Sequence, residues 1–122
     1  MAIVSYKELI VWQKSIQLVK EIYRCTESFP KAELFGLTMQ MRRAAVSIPS
    51  NIAEGFSRKH RKEYRQFLLI AFGSWGELET QIIIAHELSF LSDADFIRCT
   101  DALEEIRKML NKMIQTLSVP HP

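Results

Sequence analysis

YRQFLLIAFGSWGELETQIIIA, from Tyr64 to Ala85, is a run in which apolar residues recur at spacings of three and four without a break. The recurring positions are Tyr64, Leu68, Ala71, Trp75, Leu78, Ile82 and Ala85. This spacing keeps one face of an α-helix turned toward a partner, with a slight left-handed supercoil. The run therefore predicts a long helix that packs lengthwise against other helices.

Three further stripes of the same period lie on either side of this run. They comprise Leu9, Trp12, Ile16, Val19 and Tyr23; Leu34, Leu37, Met41, Ala44 and Ile48; and Phe96, Cys99, Leu103, Ile106, Leu110, Met113 and Leu117. Their ends carry helix-boundary signals at Ser5 with Glu8, Phe29-Pro30, Gly55, Ser92-Asp93 and Pro120. Capping residues start helices, whereas proline and glycine weaken or end them.

These signals predict helices near residues 6–27, 33–57, 60–90 and 93–118. The intervening loops are short, so sequential helices should run antiparallel. The expected fold is all-α, a single up-down-up-down antiparallel four-helix bundle over residues 1–122. The composition agrees, because the chain has only four glycines and four prolines among 122 residues.

The third stripe carries more apolar surface than one packing seam needs. Its additional apolar residues are Phe67, Leu69, Ile70, Phe72, Ile83 and Ile84. Since a bundle helix normally leaves a polar outer face, this excess favours self-association into a homo-oligomer. A wide core-facing arc within one subunit is the alternative. Gly73, Ser74 and Gly76 would let another backbone come close.

Cysteine usage and hydropathy indicate the cellular compartment of the protein. Cys25 and Cys99 have no CxxC spacing and no neighbouring histidine, so we expect reduced, buried thiols. The purely apolar stretches are too short to span a bilayer. The N-terminal segment acquires charges at once, unlike a signal peptide. We therefore expect a cytoplasmic protein with no membrane association.

A proline interrupts the second predicted helix, in RRAAVSIPSNIAEG (Arg42–Gly55). Pro49 has no N–H and crowds the preceding turn, so the helix either bends or breaks there. In the second case Ser50 or Asn51 would cap a new helix, and the Asn51-x-x-Glu54 spacing allows this. We favour a helix kinked near Pro49, because the apolar stripe continues across it. Asn51 and Glu54 are then expected to have local structural roles.

Two blocks carry a resemblance to a known family. The residues are Gln40, Arg42, Arg43, Ala44, Ser47, Ile48, Pro49, Asn51, Ile52, Ala53, Glu54 and Gly55, followed by Phe67, Ala71, Gly73, Ser74, Glu77, Leu78 and Glu79. They resemble the four-helix-bundle proteins encoded in intervening sequences of bacterial 23S ribosomal RNA genes. The resemblance implies a homopentamer and a relationship to the accessory variability protein of diversity-generating retroelements. That protein is a basic pentamer that binds nucleic acid and a reverse transcriptase. No catalytic residues are implied.

The charge distribution suggests a binding surface. The formal net charge is only +2, but the run SRKHRKEYR (residues 57–65) holds five cations and one anion. The predicted nucleic-acid-binding residues are Arg42, Arg43, Arg58, Lys59, Arg61, Lys62 and Arg65. Lysine and arginine contacts to phosphates give sequence-independent, salt-sensitive affinity for RNA or DNA. Four of them, Arg58, Arg61, Lys62 and Arg65, have helical spacing and would share a face if the third helix starts early enough.

Several alternatives accompany this hypothesis. A cationic run between helices is often only a solvated turn. Tyr64 would stack on a base or belong to the core, and His60 would add charge in mild acid. The start of the fourth helix is acidic, with five anions and one cation from Asp93 to Glu105. A protein-interaction adaptor without nucleic-acid affinity is therefore the competing function, and a nucleic-acid-processing protein is a further candidate partner.

Sequence patterns of helical-bundle enzymes are missing. No histidine follows a glutamate at Glu-x-x-His spacing, and no two glutamates are three residues apart. The second histidine of a zincin motif begun by His86-Glu87 would fall on Phe90. No glycine-rich nucleotide loop occurs. We therefore predict a non-enzymatic protein without a cofactor or a metal site.

Overall fold

Four α-helices form the molecule in a computed structural model that describes residues 2–118. They are α1 (Ile10–Thr26), α2 (Met39–Phe56), α3 (Arg61–Glu87) and α4 (Asp93–Ser118). Each helix packs against its neighbours in sequence, and α1 closes the arrangement by contacting α4. This confirms the predicted all-α four-helix bundle. The predicted end of the last helix at Pro120 lies outside the described residues.

The N-terminal ends of the first two helices differ from the prediction. The Ser5–Glu8 capping box is present, with Ser5 N donating to Glu8 at 2.9 Å, but it caps a 3-10 turn (Tyr6–Glu8) and α1 starts only at Ile10. α2 starts at Met39 rather than near residue 33. The intervening residues form a 3-10 turn and a π-helical turn (Leu34–Thr38), because Gly36 leaves helical geometry at φ −109° and ψ −114°.

The core contains the predicted stripes of α3 and α4, but α1 buries a different face. Val11, Leu18, Ile22 and Cys25 are buried, whereas the predicted stripe from Leu9 to Tyr23 is partly or largely exposed. The pattern misled because Ser15 lies in the middle of the buried face. Ser15 is tolerated there since its hydroxyl donates to the Val11 carbonyl at 2.7 Å.

Polar contacts between helices connect α4 to its two neighbours. Trp75 Nε1 donates to the Leu103 carbonyl at 2.7 Å, which joins α3 to α4. Cys25 of α1 and Cys99 of α4 are both buried free thiols, and Cys25 Sγ donates to the Ile22 carbonyl at 3.6 Å. The interaction with Cys25 and burial together raise the pKa of the Cys99 thiol. The expected burial of both thiols is confirmed.

α3 has more apolar surface than its own chain covers. Within residues 2–118 it is the one helix whose length and hydropathy would allow it to cross a bilayer, a test that the core helix of a bundle also passes. Only 33% of its most apolar window is buried. The exposed apolar residues of α3 are Leu69, Ile70, Ile83 and Ile84. These four residues do not face the core, so the alternative of a wide core-facing arc does not account for them.

α2 runs through Pro49 as one helix, so the alternative of a break with a new cap at Ser50 or Asn51 is wrong. Ile48, Pro49 and Ile52 are all buried. Burial of the ring among apolar neighbours helps α2 to retain a residue that lacks an N–H.

The C-terminal end of α2 lies very close to the start of α3. A Cβ at Gly55 would be 2.8 Å from Phe67 Cβ, 3.0 Å from Tyr64 Cδ1 and 3.1 Å from the Tyr64 carbonyl oxygen. Only glycine leaves room for this approach. Gly55, the last residue of the motif that contains Pro49, therefore allows α2 and α3 to pack closely.

Replacing Gly55 should destabilise the bundle. We expect Gly55→Ala to lower the free energy of unfolding by about 1–3 kcal/mol, the usual cost of forcing atoms into a packed site. Gly76→Ala is the matched control, since no atom lies within 4 Å of a Cβ there. That substitution should be neutral or stabilise by up to about 1 kcal/mol. Urea denaturation of both variants checks this, and equal effects would contradict the close-approach argument.

The bend at Pro49 remains a prediction. In Pro49→Ala the new N–H can pair with the Ala45 carbonyl, so we expect a folded protein with a straighter α2. Crystal structures of the wild type and the variant measure the helix axis directly. An unchanged axis would show that packing against the core, and not proline, sets the path of α2.

Candidate functional site

The basic run lies at the end of the bundle where α2 leads into α3 and where α4 terminates. Arg61 Nη2 donates to the Thr116 carbonyl at 2.9 Å, and Arg65 Nε donates to the Ile114 carbonyl at 3.4 Å. Guanidinium groups stabilise the negative end of a helix dipole. A carbonyl does not neutralise an arginine, so these two hydrogen bonds leave the charge of each guanidinium unchanged.

Arg58 does not share a helical face with the other cations, contrary to the prediction. α3 starts at Arg61, and Arg58 lies in the preceding turn. Its guanidinium pairs with Glu54 at 3.1 Å, approaches Glu63 at 4.0 Å and lies 4.9 Å from the Phe67 ring centroid. The shared face was predicted on the condition that α3 begins before Arg58, and α3 begins only at Arg61.

Lys59 and Lys62 are exposed and have no hydrogen-bond or ion-pair partner within residues 2–118. They flank the start of α3, where His60 occupies the N-cap position without a side-chain cap. A helix N-terminus carries a partial positive charge and favours anions. The cations therefore reinforce the helix dipole instead of compensating for it. We call the set Arg58, Lys59, Arg61, Lys62 and Arg65 the basic end.

Tyr64 belongs to the core. It is half-buried against the hydrophobic cluster, and its ring makes an edge contact with Phe56 at 6.0 Å between centroids. Burial raises the pKa of its hydroxyl. The core interpretation of Tyr64 is therefore confirmed, and the ring is not presented for stacking on a base.

Arg42 and Arg43 lie far from the basic end, near the N-terminus of α2. Arg43 and Phe56 are 13 positions apart in α2, which is roughly 20 Å along the helix axis. Arg42 is committed within the chain, because its Nε donates to Thr26 Oγ1 at 2.9 Å and its guanidinium lies 4.5 Å from the Tyr23 ring centroid. The seven predicted nucleic-acid-binding residues thus form two separate groups.

The acidic start of α4 is largely paired inside the chain. Its ion pairs are Asp95 with Arg24 and Arg98, Glu104 with Arg107 and Glu105 with Lys14, and Asp93 makes a hydrogen bond of 2.6 Å with His86. Glu21 of α1 joins this network, and its hydrogen bond from Arg24 lowers the pKa of its carboxyl group. The acidic surface predicted as a partner site is therefore largely paired within the chain.

Polar residues from the two resembling blocks meet between α2 and α3. The Ser47 and Ser74 hydroxyl oxygens are 2.8 Å apart, and Asn51 Nδ2 donates to the Ser47 carbonyl at 2.8 Å and to Ser47 Oγ at 2.9 Å. Asn51 therefore acts as a structural residue, as predicted. It does not reach the Ala45 carbonyl that Pro49 leaves unpaired. Glu54 is exposed and pairs with Arg58.

Beyond this network the two helices form an open cleft of about 610 Å³, which we call the α2–α3 groove. It is lined by Gln40, Arg43, Ala44, Ser47, Ser74, Glu77 and Gln81. The position of Gln81 in this groove was not predicted from the sequence, and neither was the contact between the two blocks. Antiparallel pairing of Ser47 with Ser74 would have placed Arg43 opposite Glu77, but the pattern contained no signal for that register.

No group of three or more histidine, cysteine, aspartate or glutamate residues in the described part of the chain could hold a metal ion. The groove and the basic end both present charged side chains to solvent.

Residues 7–112 match the family model described as "23S rRNA-intervening sequence protein". The chain belongs to this family. The match confirms the resemblance carried by the two blocks and covers all four helices except the end of α4. The family description names no catalytic activity.

A solved structure shows the same fold. It is a protein of unknown function from the S23 ribosomal protein family of Bacteroides thetaiotaomicron. The two chains are 22% identical, the TM-score is 0.78, and the likeness covers 86% of this chain and 98% of the other. No curated protein matches the chain.

The Asn51 network and the Glu54 pair should differ in their effect on stability. Asn51→Ala removes two hydrogen bonds next to the α2–α3 contact, so we expect a loss of about 1–2 kcal/mol in the free energy of unfolding. Glu54→Gln breaks an exposed i,i+4 pair and should cost at most about 0.5 kcal/mol. Thermal and urea denaturation measure both. A larger effect for Glu54 would show that this carboxylate has a role that the structure does not display.

Proposed function

We propose that this protein is a non-enzymatic, homo-oligomeric four-helix bundle that binds RNA or DNA through the basic end and serves as a nucleic-acid-binding scaffold. One observation carries the proposal. In residues 54–65, five cations accompany two carboxylates, Glu54 and Glu63, which both lie beside Arg58, whereas most carboxylates at the acidic start of α4 have ion-pair partners.

The basic end suits a phosphate backbone. Lys59 and Lys62 have flexible side chains without a partner in the described part of the chain, and they lie beside an N-terminus of α3 that has no side-chain cap. Helix N-termini favour phosphate oxygens, and lysine contacts to phosphates release condensed counterions. Such a surface recognises charge and has no base-stacking platform at Tyr64, so the proposed binding is sequence-independent.

Assembly would strengthen a weak surface of this kind. Several copies present the same basic end together, and linked weak sites act through a high effective concentration. The exposed apolar residues of α3 support self-association. The family resemblance implies a pentamer, which would present five basic ends.

Arg42 and Arg43 are left out of the proposed nucleic-acid surface. Arg42 is held by Thr26 and Tyr23, and both arginines lie roughly 20 Å along α2 from the helix end that leads to Lys59 and Lys62. A single strand could reach both groups only by running along α2 past exposed Val46. The basic end therefore stands alone as the proposed site.

The test uses two lysines whose loss should leave the fold intact. We expect Lys59→Ala with Lys62→Ala to weaken binding at least about tenfold and to reduce the salt slope by roughly 1.4, the contribution of two single-strand phosphate contacts. Lys20→Ala with Lys31→Ala is the matched control, because these lysines are also exposed and have no partner among residues 2–118 but lie elsewhere. Fluorescence anisotropy with a labelled mixed-sequence RNA, and then DNA, across a salt series measures both pairs.

Each outcome discriminates. A loss in the Lys59/Lys62 variant but not in the control supports the basic end. Equal losses would indicate non-specific attraction by any surface lysine. No binding by the wild type at low salt would remove the nucleic-acid function, and the protein-interaction adaptor would then be tested by identifying co-purifying proteins.

A further inference from the structure

The α2–α3 groove contains polar groups that have no ion-pair or hydrogen-bond partner among the described residues. Arg43 and Glu77 lie on opposite walls, and neither has an ion-pair or hydrogen-bond partner among residues 2–118. Gln81 is only 7% exposed, yet its Oε1 accepts no hydrogen bond there. Buried polar atoms in folded proteins are almost always satisfied. The groove is therefore incomplete as it stands.

Exposed apolar residues flank both charges. On α2, Met39 and Val46 lie about one turn to either side of Arg43, and each is 39% exposed. On α3, Ile70 and Ile84 lie two turns to either side of Glu77 and are 52% and 42% exposed. We call these sets the α2 stripe (Met39, Arg43, Val46) and the α3 stripe (Ile70, Glu77, Ile84). Protein interfaces are enriched in methionine and arginine, and they combine apolar contacts with hydrogen bonds.

Gly73 lies on the α3 stripe between Ile70 and Glu77. Outside the adjoining turns of α3, no atom of residues 2–118 lies within 4 Å of a Cβ built at this position. Glycine is a poor helix former, and nothing within the subunit requires its lack of a side chain. A backbone or side chain from outside the subunit could approach α3 closely at this point.

We propose that the α2 stripe of one copy packs on the α3 stripe of another copy, with Arg43 paired to Glu77 of the neighbouring copy. The proposal rests on the homo-oligomer of the proposed function and assigns its contact surface. Because it joins two different surfaces, the same contact can repeat around a ring. It gives Arg43 a role in assembly and leaves nucleic-acid binding to the basic end.

Charge identifies the occupant as a second copy. The two stripes carry one unpaired cation and one unpaired anion, so copies of this chain supply both missing partners to each other. A bilayer would draw both charges toward hydrocarbon, which is strongly unfavourable. Nucleic acid would be repelled by Glu77. Among these occupants, a second copy alone satisfies both the apolar residues and both charges.

Charge reversal tests the pairing. Arg43→Glu and Glu77→Arg should each raise the dissociation constant of the oligomer at least about tenfold, because like charges then face each other across the contact. The double variant Arg43→Glu/Glu77→Arg should assemble again. In an equimolar mixture of the two single variants, contacts between unlike copies are again complementary and should form, although a ring of five must keep at least one contact between like copies. Lys20→Glu and Asp101→Arg, both exposed and away from the stripes, are the controls.

Gly73→Gln tests the surface without changing charge. The added side chain has free space in the isolated subunit and should not lower its stability, but it should dissociate the oligomer. Light scattering after size-exclusion chromatography and native mass spectrometry measure assembly. Circular dichroism and urea denaturation confirm that each variant is folded.

The outcomes separate the two proposals. A wild-type monomer at micromolar concentration would overturn both self-association and this contact. An oligomer that persists in Arg43→Glu, Glu77→Arg and Gly73→Gln would overturn this contact alone. Dissociation in these variants with recovery in the charge-swapped double variant supports it. Co-flotation of the wild type with phosphatidylcholine–phosphatidylglycerol vesicles would show that a bilayer covers the face instead.

Discussion

The bundle depends on how closely α2 and α3 approach each other. This is its most extensive helix–helix contact, and it is held at one end by Gly55 against Phe67 and Tyr64 and further along by the hydrogen-bonded Ser47, Ser74 and Asn51. Small residues at both places allow the backbones to come near. The rest of the fold follows from that pair, because α1 and α4 then pack against it and against each other. The residues of the motif that contains Pro49 therefore serve largely to let α2 and α3 pack closely.

The same close pair leaves two surfaces with different tasks. At the α2–α3 turn, the basic end carries five cations, of which Lys59 and Lys62 have no partner within residues 2–118. Along the outer side of the pair, the two stripes carry apolar residues around single charges. Binding and assembly are thus proposed for separate places on one subunit. A scaffold needs this separation, since a ring that used its phosphate-binding residues for assembly could not present them to a ligand.

Much of the fold could be predicted from sequence, and the reasons for the failures are physical. The stripes of α3 and α4 are uninterrupted, so their buried faces could be identified from period alone. In α1 the buried Ser15 breaks the apolar pattern, and the hydrogen bond that makes its burial possible is invisible in a sequence. Gly36 delays the start of α2, and the turn at Arg58 separates α2 from α3. Both effects arise from backbone geometry that residue spacing does not encode. For the candidate site, the cationic run was evident, but the distance from Arg43 to the basic end and the facing of Arg43 with Glu77 depend on helix register.

The two buried thiols of α1 and α4 have a practical consequence. Cys25 and Cys99 are almost completely shielded from solvent, and they lie in the first and the last α-helix. A thiol-reactive reagent can modify them only when this seam opens, and such openings have their own free energy, distinct from that of global unfolding. The rate of alkylation therefore reports how often the first and last helices separate. Thiol alkylation can therefore measure local opening between α1 and α4 without any added probe.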